Sequence, residues 1–441
     1  MITELKITNF RSLREISLDN LQPVNLLIGP NNSGKSNILK ALKFFSEFLG
    51  GNMPDEARLK GYIFNSIQDS SEVVHEPLSL RFYSKLNELN TSIGFGEVTL
   101  YNNRNSGGFP SFGIVSAKGQ QGYQMGVENA AALDETFPAF EAQYYHFPLE
   151  VIPPANTSMN GLDGGDYTGI RYVKEFGVPR VSDTIHNPQY GYFKTDTQRQ
   201  VFSPLQNLKI YRPEPSKLLD LYPIQNEQSV NEDASNLVAF LDTMSRRNQK
   251  IFKRITDDLQ EFVPEFEYIS YDVLDTPPKE LQLKYPNRSL ARIGLTDKHG
   301  RNFWADSLSE GTLYFLSLLC IIHQPEPPKL LLIEEPEKGI HPRRIRETID
   351  LIFQLTDEKG NQVILTTHSP SVVDIFADMP QAIYIVEREG QETNVKNLQR
   401  DVIEPHNEEF IAAGEEPIRF TEALGENWAM GFLGGVPDDA Y

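Results

Sequence analysis

Gly29-Pro30-Asn31-Asn32-Ser33-Gly34-Lys35-Ser36, or GPNNSGKS, fills every fixed position of the pattern G-x-x-x-x-G-K-S. Val24, Asn25, Leu26, Leu27 and Ile28 form a short, mostly apolar strand running into Gly29. After the loop, Ile38, Leu39, Ala41, Leu42, Phe45, Phe48 and Leu49 recur at helical spacing until Gly50 and Gly51 stop the segment. Strand, glycine loop and helix in that order make a phosphate cradle. Backbone N–H groups of Asn32, Ser33, Gly34, Lys35 and Ser36 face inward, and the helix dipole favours negative charge, with Asn37 in the first turn. Lys35 reaches toward the β- and γ-phosphates, and the Ser36 hydroxyl is placed to ligate magnesium. A chance glycine-rich turn would match neither all fixed positions nor both flanking elements.

Three further elements follow far downstream. The run Leu330-Leu331-Leu332-Ile333 ends in Glu334 and Glu335, which reads as a buried parallel strand with carboxylates at the end where α/β sheets hold ligands. Glu334 is assigned to the magnesium shell, through water, and Glu335 to orienting or deprotonating the attacking water. A solvated strand end is the plainer reading, but Pro336, Glu337 and His341-Pro342 continue the pattern. A second apolar strand, Gln362 to Leu365, leads through Thr366 and Thr367 to His368 and Ser369. A histidine there can sense a γ-phosphate by hydrogen bonding, although a lone histidine is more often structural. Between loop and acids, Leu308-Ser309-Glu310-Gly311-Thr312 opens a helix apolar almost all round; alone it would be a capped, buried helix.

Taken together, GPNNSGKS, LSEGT, LLLIEEPEKGIHP and TTHSP resemble the ABC-type ATPase heads of the RecF, structural-maintenance-of-chromosomes and overcoming-lysogenization-defect (OLD) group. The opening ITELKITNFRSL, with Phe10-Arg11-Ser12, looks like the first strand of such heads. The likeness covers roughly the first fifty residues and the stretch from about 200 to 400, by motif order. It implies an α/β fold: a P-loop head with a mixed β-sheet and a helical lobe, carrying a long inserted loop-rich β/α region. It also implies hydrolysis of ATP with Mg2+, and a signature helix whose Ser309 and Gly311 act in trans on the nucleotide of another subunit, in an ATP-dependent homodimer or higher oligomer. Glu310 and Thr312 stand where transporters commonly have glycine and glutamine, and Glu334 where aspartate is commoner; both variants look like the OLD-type branch. The Glu310 carboxylate would repel a γ-phosphate and is expected to point away from it. Arg11 is the candidate for the adenine contact.

Composition narrows the setting. The chain has 441 residues, no apolar stretch of membrane-spanning length, and an N-terminus that opens on a strand without a signal peptide; these fit the cytoplasm. Its single cysteine, Cys320, lies inside the apolar signature helix and excludes an intrachain disulfide framework. The eight histidines form no Cys/His cluster at zinc spacing. A net charge of −20 means the surface as a whole cannot bind DNA, and a basic strip at Arg246, Arg247, Lys250, Lys253 and Arg254 reads as the solvated face of a helix from Ala234 to Phe262. Strong acidity suits docking to a basic protein partner.

The expected organisation is residues 1–50 for the first half of the head, 51–204 for the insertion, 205–300 for a helical and β lobe, 301–400 for the second half, and 401–441 for a tail suited to partner docking. Residues 78–100 alternate like strands, while 101–130 and 153–200 read as long loops. A strand is expected from Leu205 to Ile210, and β-hairpins over 265–304 with a turn at Asp297 to Gly300. A strand pair follows at Ala382–Val386 and Thr393–Leu398, then an acidic linker. The 73 residues after His368 offer Asp438 and Asp439 only at the very end, so no Toprim nuclease is expected within the chain. The resemblance instead implies a separate effector protein, of which a Toprim-like nuclease is one kind, gated by this ATPase in phage defence or DNA maintenance. Two alternatives stay open: a RecF-like repair ATPase that binds DNA itself, and, less favoured, a transporter's nucleotide-binding subunit.

Overall fold

The computed structural model describes residues 1–49, 78–85, 93–102, 110–116, 143–148, 202–274, 279–338, 340, 342–412, 414 and 422–434. Residues 153–200, His341, Asp438 and Asp439 lie outside that set. The chain divides into two compact units. One comprises Met1–Leu21, Lys40–Asn207 and Arg388–Val395; the other comprises Gln22–Leu39, Leu208–Glu387 and Lys396–Tyr441.

The first unit is built on an antiparallel sheet in the order β2-β1-β4-β5-β6-β7, with β1 at Ile2–Phe10, β2 at Leu13–Asp19, β4 at Leu78–Lys85, β5 at Ile93–Asn102, β6 at Pro110–Ser116 and β7 at Gln143–Pro148. Its first strand alternates, with Leu5 and Ile7 buried and Lys6 and Thr8 on the other face, as a sheet with one covered face requires. Phe10 pairs with Leu13 across a two-residue turn, and Arg11 takes the left-handed φ of 53° there. Residues 101–130, read as a loop, in fact contain the end of β5 and all of β6. PSFGIVS is too short and too rich in Pro, Gly and Ser to signal a strand alone; its pairing with β5 supplies what propensity does not.

A six-stranded sheet has the order β16-β15-β3-β14-β13-β8, and the second unit is built on its strands β3, β14, β13 and β8 with the first part of β15. Here β3 is Val24–Ile28, β8 Ile210–Tyr211, β13 Leu330–Glu334, β14 Gln362–Thr366, β15 Ile383–Glu389 and β16 Glu392–Asn397. The pairs β15/β3, β3/β14, β14/β13 and β13/β8 are parallel. Every residue of β3, β13 and β14 is buried, which explains their apolar runs in place of alternation. A smaller antiparallel sheet joins β9 (Tyr222–Pro223), β10 (Phe266–Leu274), β11 (Leu290–Asp297) and β12 (Asn302–Trp304), with the turn at Asp297 closed by the Gly300 N–H.

Helix α1 (Lys35–Leu49) follows the loop; then come α2 (Leu237–Arg247), α3 (Gln249–Phe262), α4 (Lys279–Lys284), α5 (Glu310–His323), α6 (Pro342–Lys359), α7 (Pro370–Ile375), α8 (Glu404–Ala412) and α9 (Leu424–Ala429). The single helix expected from Ala234 to Phe262 is two. Ala234 has φ 61°, outside the helical region, and Asn248 breaks the run by capping α3, its side chain accepting the Ile251 N–H. The basic strip on these helices is exposed as read, with Lys253 paired to Asp257 and Arg254 to Glu358. The strand expected at Leu205–Ile210 shrinks to Ile210–Tyr211, because Pro204 closes a 3-10 turn and Asn207 turns left-handed. Helix α4 interrupts the β-hairpin stretch, and α8 occupies the acidic linker.

The glycine-rich tail packs inward. Leu424, Trp428 and Leu433 join the core of the second unit. The Gly425 N–H donates to Asp374 Oδ1 of α7 at 2.7 Å, and a Cβ on Gly425 would meet the Pro370 carbonyl oxygen at 2.2 Å, so only glycine fits. Cys320 is fully buried.

Candidate nucleotide site

The site grows from the end of β3. Gly29 has φ 148° and runs so close to β15 that a Cβ would lie 2.1 Å from the Val386 carbonyl oxygen. Asn32 (φ 69°) and Gly34 (φ 115°) turn the loop, and N–H groups of Asn37 and Ile38 reach back to the Gly34 carbonyl to start α1. Lys35 is folded down onto its own loop, 5% exposed, its Nζ donating at 2.8 Å to both the Gly29 and Pro30 carbonyls and lying 3.5 Å from Ser33 Oγ. Burial lowers its pKa to about 8, against the opposing pull of Glu335, Glu334 and Glu337. Ser33 is buried; Asn32 is exposed, and Gly34, Ser36 and Asn37 are half-buried.

The parallel register carries the other groups to the same edge. Glu334 pairs with Thr366, and Thr366 with Leu27, so β3, β14 and β13 end side by side. The Thr367 N–H donates to the Leu27 carbonyl, and the Glu335 N–H to the Thr366 carbonyl. Glu335 Oε1 lies 3.7 Å from His368 Nε2. Burial, then the nearby Lys35 charge, hold the His368 pKa below its ordinary value, which favours a neutral ring at pH 7. Lys35, Glu334, Glu335 and His368 therefore converge.

Sequence reading missed Arg212 here and gave Glu337 no role of its own. Arg212, just past β8, lies with Nη1 3.7 Å from Glu334 Oε2 and Nη2 3.4 Å from Glu335 Oε2, so one guanidinium spans both carboxylates. Its signal was the strand read as ending at Ile210, two residues short of it. Glu337 accepts the Thr367 hydroxyl at 2.6 Å and the His368 N–H at 3.2 Å, thereby fixing the strand end that bears the histidine. Burial pushes its pKa up.

The residues fit a hard divalent cation. Glu334 Oε1 is buried with no hydrogen-bond partner, and the donors available at this edge, carboxylate and hydroxyl oxygens, are those magnesium prefers. No group of three or more His, Cys, Asp or Glu at metal-holding geometry occurs among the described residues.

Ser309 and Gly311 lie elsewhere in the second unit. Ser309 caps α5, its hydroxyl accepting the Thr312 N–H at 3.1 Å, while Ser309 and Glu310 are exposed. With Gly311, Thr312, Phe262, Phe315 and Arg344, Ser309 lines a cavity of about 290 Å³ to which no phosphate-loop residue contributes. Arg11 belongs to the first unit, its guanidinium 5.8 Å from the centre of the Phe10 ring.

Comparison with known proteins finds similarity to ATPase domains. Residues 184–374 match the family described as "AAA domain, putative AbiEii toxin, Type IV TA system", and residues 1–88 match "AAA ATPase domain". YhcH of Bacillus subtilis, an uncharacterized ABC transporter ATP-binding protein, is 29% identical over 146 residues, 33% of this chain; the chain spans 44% of that relative's length. An ATP/GTP phosphatase of Helicobacter pylori is 22% identical over 390 residues, covering 85% of this chain and 87% of its own. A chromosome-maintenance (Smc) head solved with the C-terminal winged-helix domain of ScpA superposes with a TM-score of 0.49 at 14% identity, covering 90% of this chain and 97% of that one. Two stretches of the chain are thus similar to AAA-type ATPase domains. Among the described residues no helix is long and apolar enough to cross a membrane.

Proposed function

We propose that this protein hydrolyses ATP to ADP and phosphate with Mg2+, pairs with a second copy of itself when ATP is bound, and thereby gates a separate effector protein, in the cytoplasm. The observation that carries the reading is the convergence of Lys35, Glu334, Glu335 and His368 at one edge of three adjacent parallel strands. The loop N–H groups from Asn32 to Ser36 and the dipole of α1 take the β-phosphate, with Asn37 beside them. Lys35 exchanges its carbonyl partners for phosphate oxygens, and the incoming negative charge raises its pKa again. Glu335 orients a water for in-line attack on the γ-phosphorus and accepts its proton as the bond to ADP breaks. His368, uncharged, donates one ring N–H to the γ-phosphate without adding a second fixed cation beside Lys35. Arg212 keeps the two carboxylates from repelling each other before nucleotide arrives. Ser36 and Glu334 hold the magnesium ion, which when bound neutralises charge on the phosphates.

Ser309 and Gly311 meet the nucleotide of a second copy. Support comes from their exposure and from the cavity they line apart from the phosphate loop. Converting a mostly open pair to a mostly closed one takes about 5.5 kcal/mol of differential binding. Charge-assisted hydrogen bonds of roughly 1.5 to 3 kcal/mol each, repeated at two γ-phosphates, reach that figure. An effector in a defence setting accords with the toxin–antitoxin description of the matched family. A partner other than DNA accords with the net charge of −20. Native mass measurement with ATP and magnesium tests the whole reading: Glu335→Gln should accumulate a pair that Lys35→Ala cannot form. No ATP-dependent change in Glu335→Gln would sink it, and capture of duplex DNA by the isolated chain would replace the effector with DNA.

A further inference from the structure

Helix α5 bears on two places at once. Its first turn exposes Ser309 at the cavity that the phosphate loop does not reach. Its second turn carries Tyr314, 1% exposed, whose hydroxyl donates to the Glu335 carbonyl at 3.2 Å. The same carbonyl accepts the Lys338 N–H at 3.0 Å, and the Glu335 N–H donates to Thr366, so the Glu335 backbone is tied to α5, to β14 and to its own turn. Glu335 has φ 50°, a left-handed backbone that a glutamate keeps only when its surroundings impose it. That backbone sets where the side chain points, and here it points between His368 and Arg212.

We infer that Tyr314 is a positioning residue linking the signature helix to the hydrolytic carboxylate of the same chain, so that engagement of Ser309 from outside alters the setting of Glu335 within. The inference rests on the proposed roles of Glu335 and Ser309. Helix α5 is buried from Thr312 to His323, and close packing transmits strain, so displacement at Ser309 is carried along the helix toward Tyr314. Burial raises the phenol pKa far above its ordinary value, which keeps the donor proton in place. Phenylalanine would fill the same volume and leave the carbonyl without this donor.

The test is steady-state hydrolysis by the full chain as unaltered protein, Tyr314→Phe, Ser309→Ala and the double variant, with the affinity of a non-hydrolysable ATP analogue measured alongside. Tyr314→Phe should lower kcat on the order of tenfold with analogue affinity kept within about twofold. Ser309→Ala should lower kcat in the unaltered background and add little in Tyr314→Phe, the non-additivity expected of linked groups. Unchanged kcat in Tyr314→Phe, parallel loss of kcat and analogue affinity, or full additivity overturns the link. If Tyr314→Phe does not fold, hydrogen exchange across residues 335–338 decides: slowing by the analogue in the unaltered chain but not in Ser309→Ala supports the link, and equal slowing overturns it. Failure of the underlying reading looks different, since the unaltered chain would then not hydrolyse ATP, or Glu335→Gln would hydrolyse it equally well.

Discussion

The phosphate loop and the first turn of α5 are both helix N-termini, yet their polar groups are committed differently. Lys35 is 5% exposed and holds two loop carbonyls, and Gly29 leaves no room for a Cβ beside Val386. Ser309 and Glu310 face solvent, and among the described residues the Ser309 hydroxyl is engaged with Thr312 of its own cap. One terminus is stitched into fully buried parallel strands, so its chemistry and the fold's stability cannot be changed separately. At the other, Ser309 is held by a single cap, so it can be altered with little cost to folding.

Four experiments press on that contrast, from the largest expected effect to the smallest. Glu335→Gln should reduce ATP turnover by about a hundredfold to ten-thousandfold while nucleotide binding survives, as a paired binding and turnover assay would show. Turnover near the unaltered rate would remove Glu335 from the chemistry. At the buried terminus, Gly29→Ala should cost about 3 kcal/mol through overpacking against Val386, read from the midpoint of denaturant unfolding. An unshifted midpoint would mean the strand end gives way more easily than the geometry implies.

The third experiment uses pH. The Lys35 pKa of about 8 lies below its ordinary 10.5, so the folded chain binds fewer protons than the unfolded chain between those values. The Lys35 contribution to stability without nucleotide should therefore rise from pH 8 toward 10.5 and be lost as pH falls through 8. ATP affinity should run the other way, dropping by up to about tenfold per pH unit above 8 as the ammonium is lost. Calorimetric titration at pH 7, 8 and 9 checks the sign, and affinity that is flat or rises with pH would remove the charge from the binding step. At the exposed terminus, Ser309→Ala should cost only about 1 kcal/mol of stability, the price of one cap. A larger loss in thermal unfolding would show that the Ser309 side chain does more for α5 than cap it.

Legibility in the sequence followed signal length and fixed residue identity. GPNNSGKS, the strand Val24–Ile28 and the acids at Glu334 and Glu335 could be read because invariant spacing or five buried residues in a row speak for themselves. The approach of Glu335 to His368 followed from motif order, although only the parallel register of β13 and β14 sets the distance. Arg212 could not be read, because a two-residue strand has no periodicity and its neighbour across the sheet lies more than a hundred residues away. Asn248 and Ala234 divided an otherwise continuous helical pattern through backbone conformation, which periodicity ignores. Trp428 falls within 401–441, expected as a tail suited to partner docking, whereas its ring lies in the core.

That inward-packed tail has a consequence for the order in which the molecule can be made. Helix α7 starts two residues after His368, and it is buttressed by Gly425 through Asp374 and Pro370. A ribosome that has delivered the phosphate loop must still deliver the acids, the histidine and finally the 424–433 segment before the second unit closes its core. Nascent or prematurely terminated chains thus own a glycine loop without a finished site around it, and the capacity to handle nucleotide arrives late in synthesis.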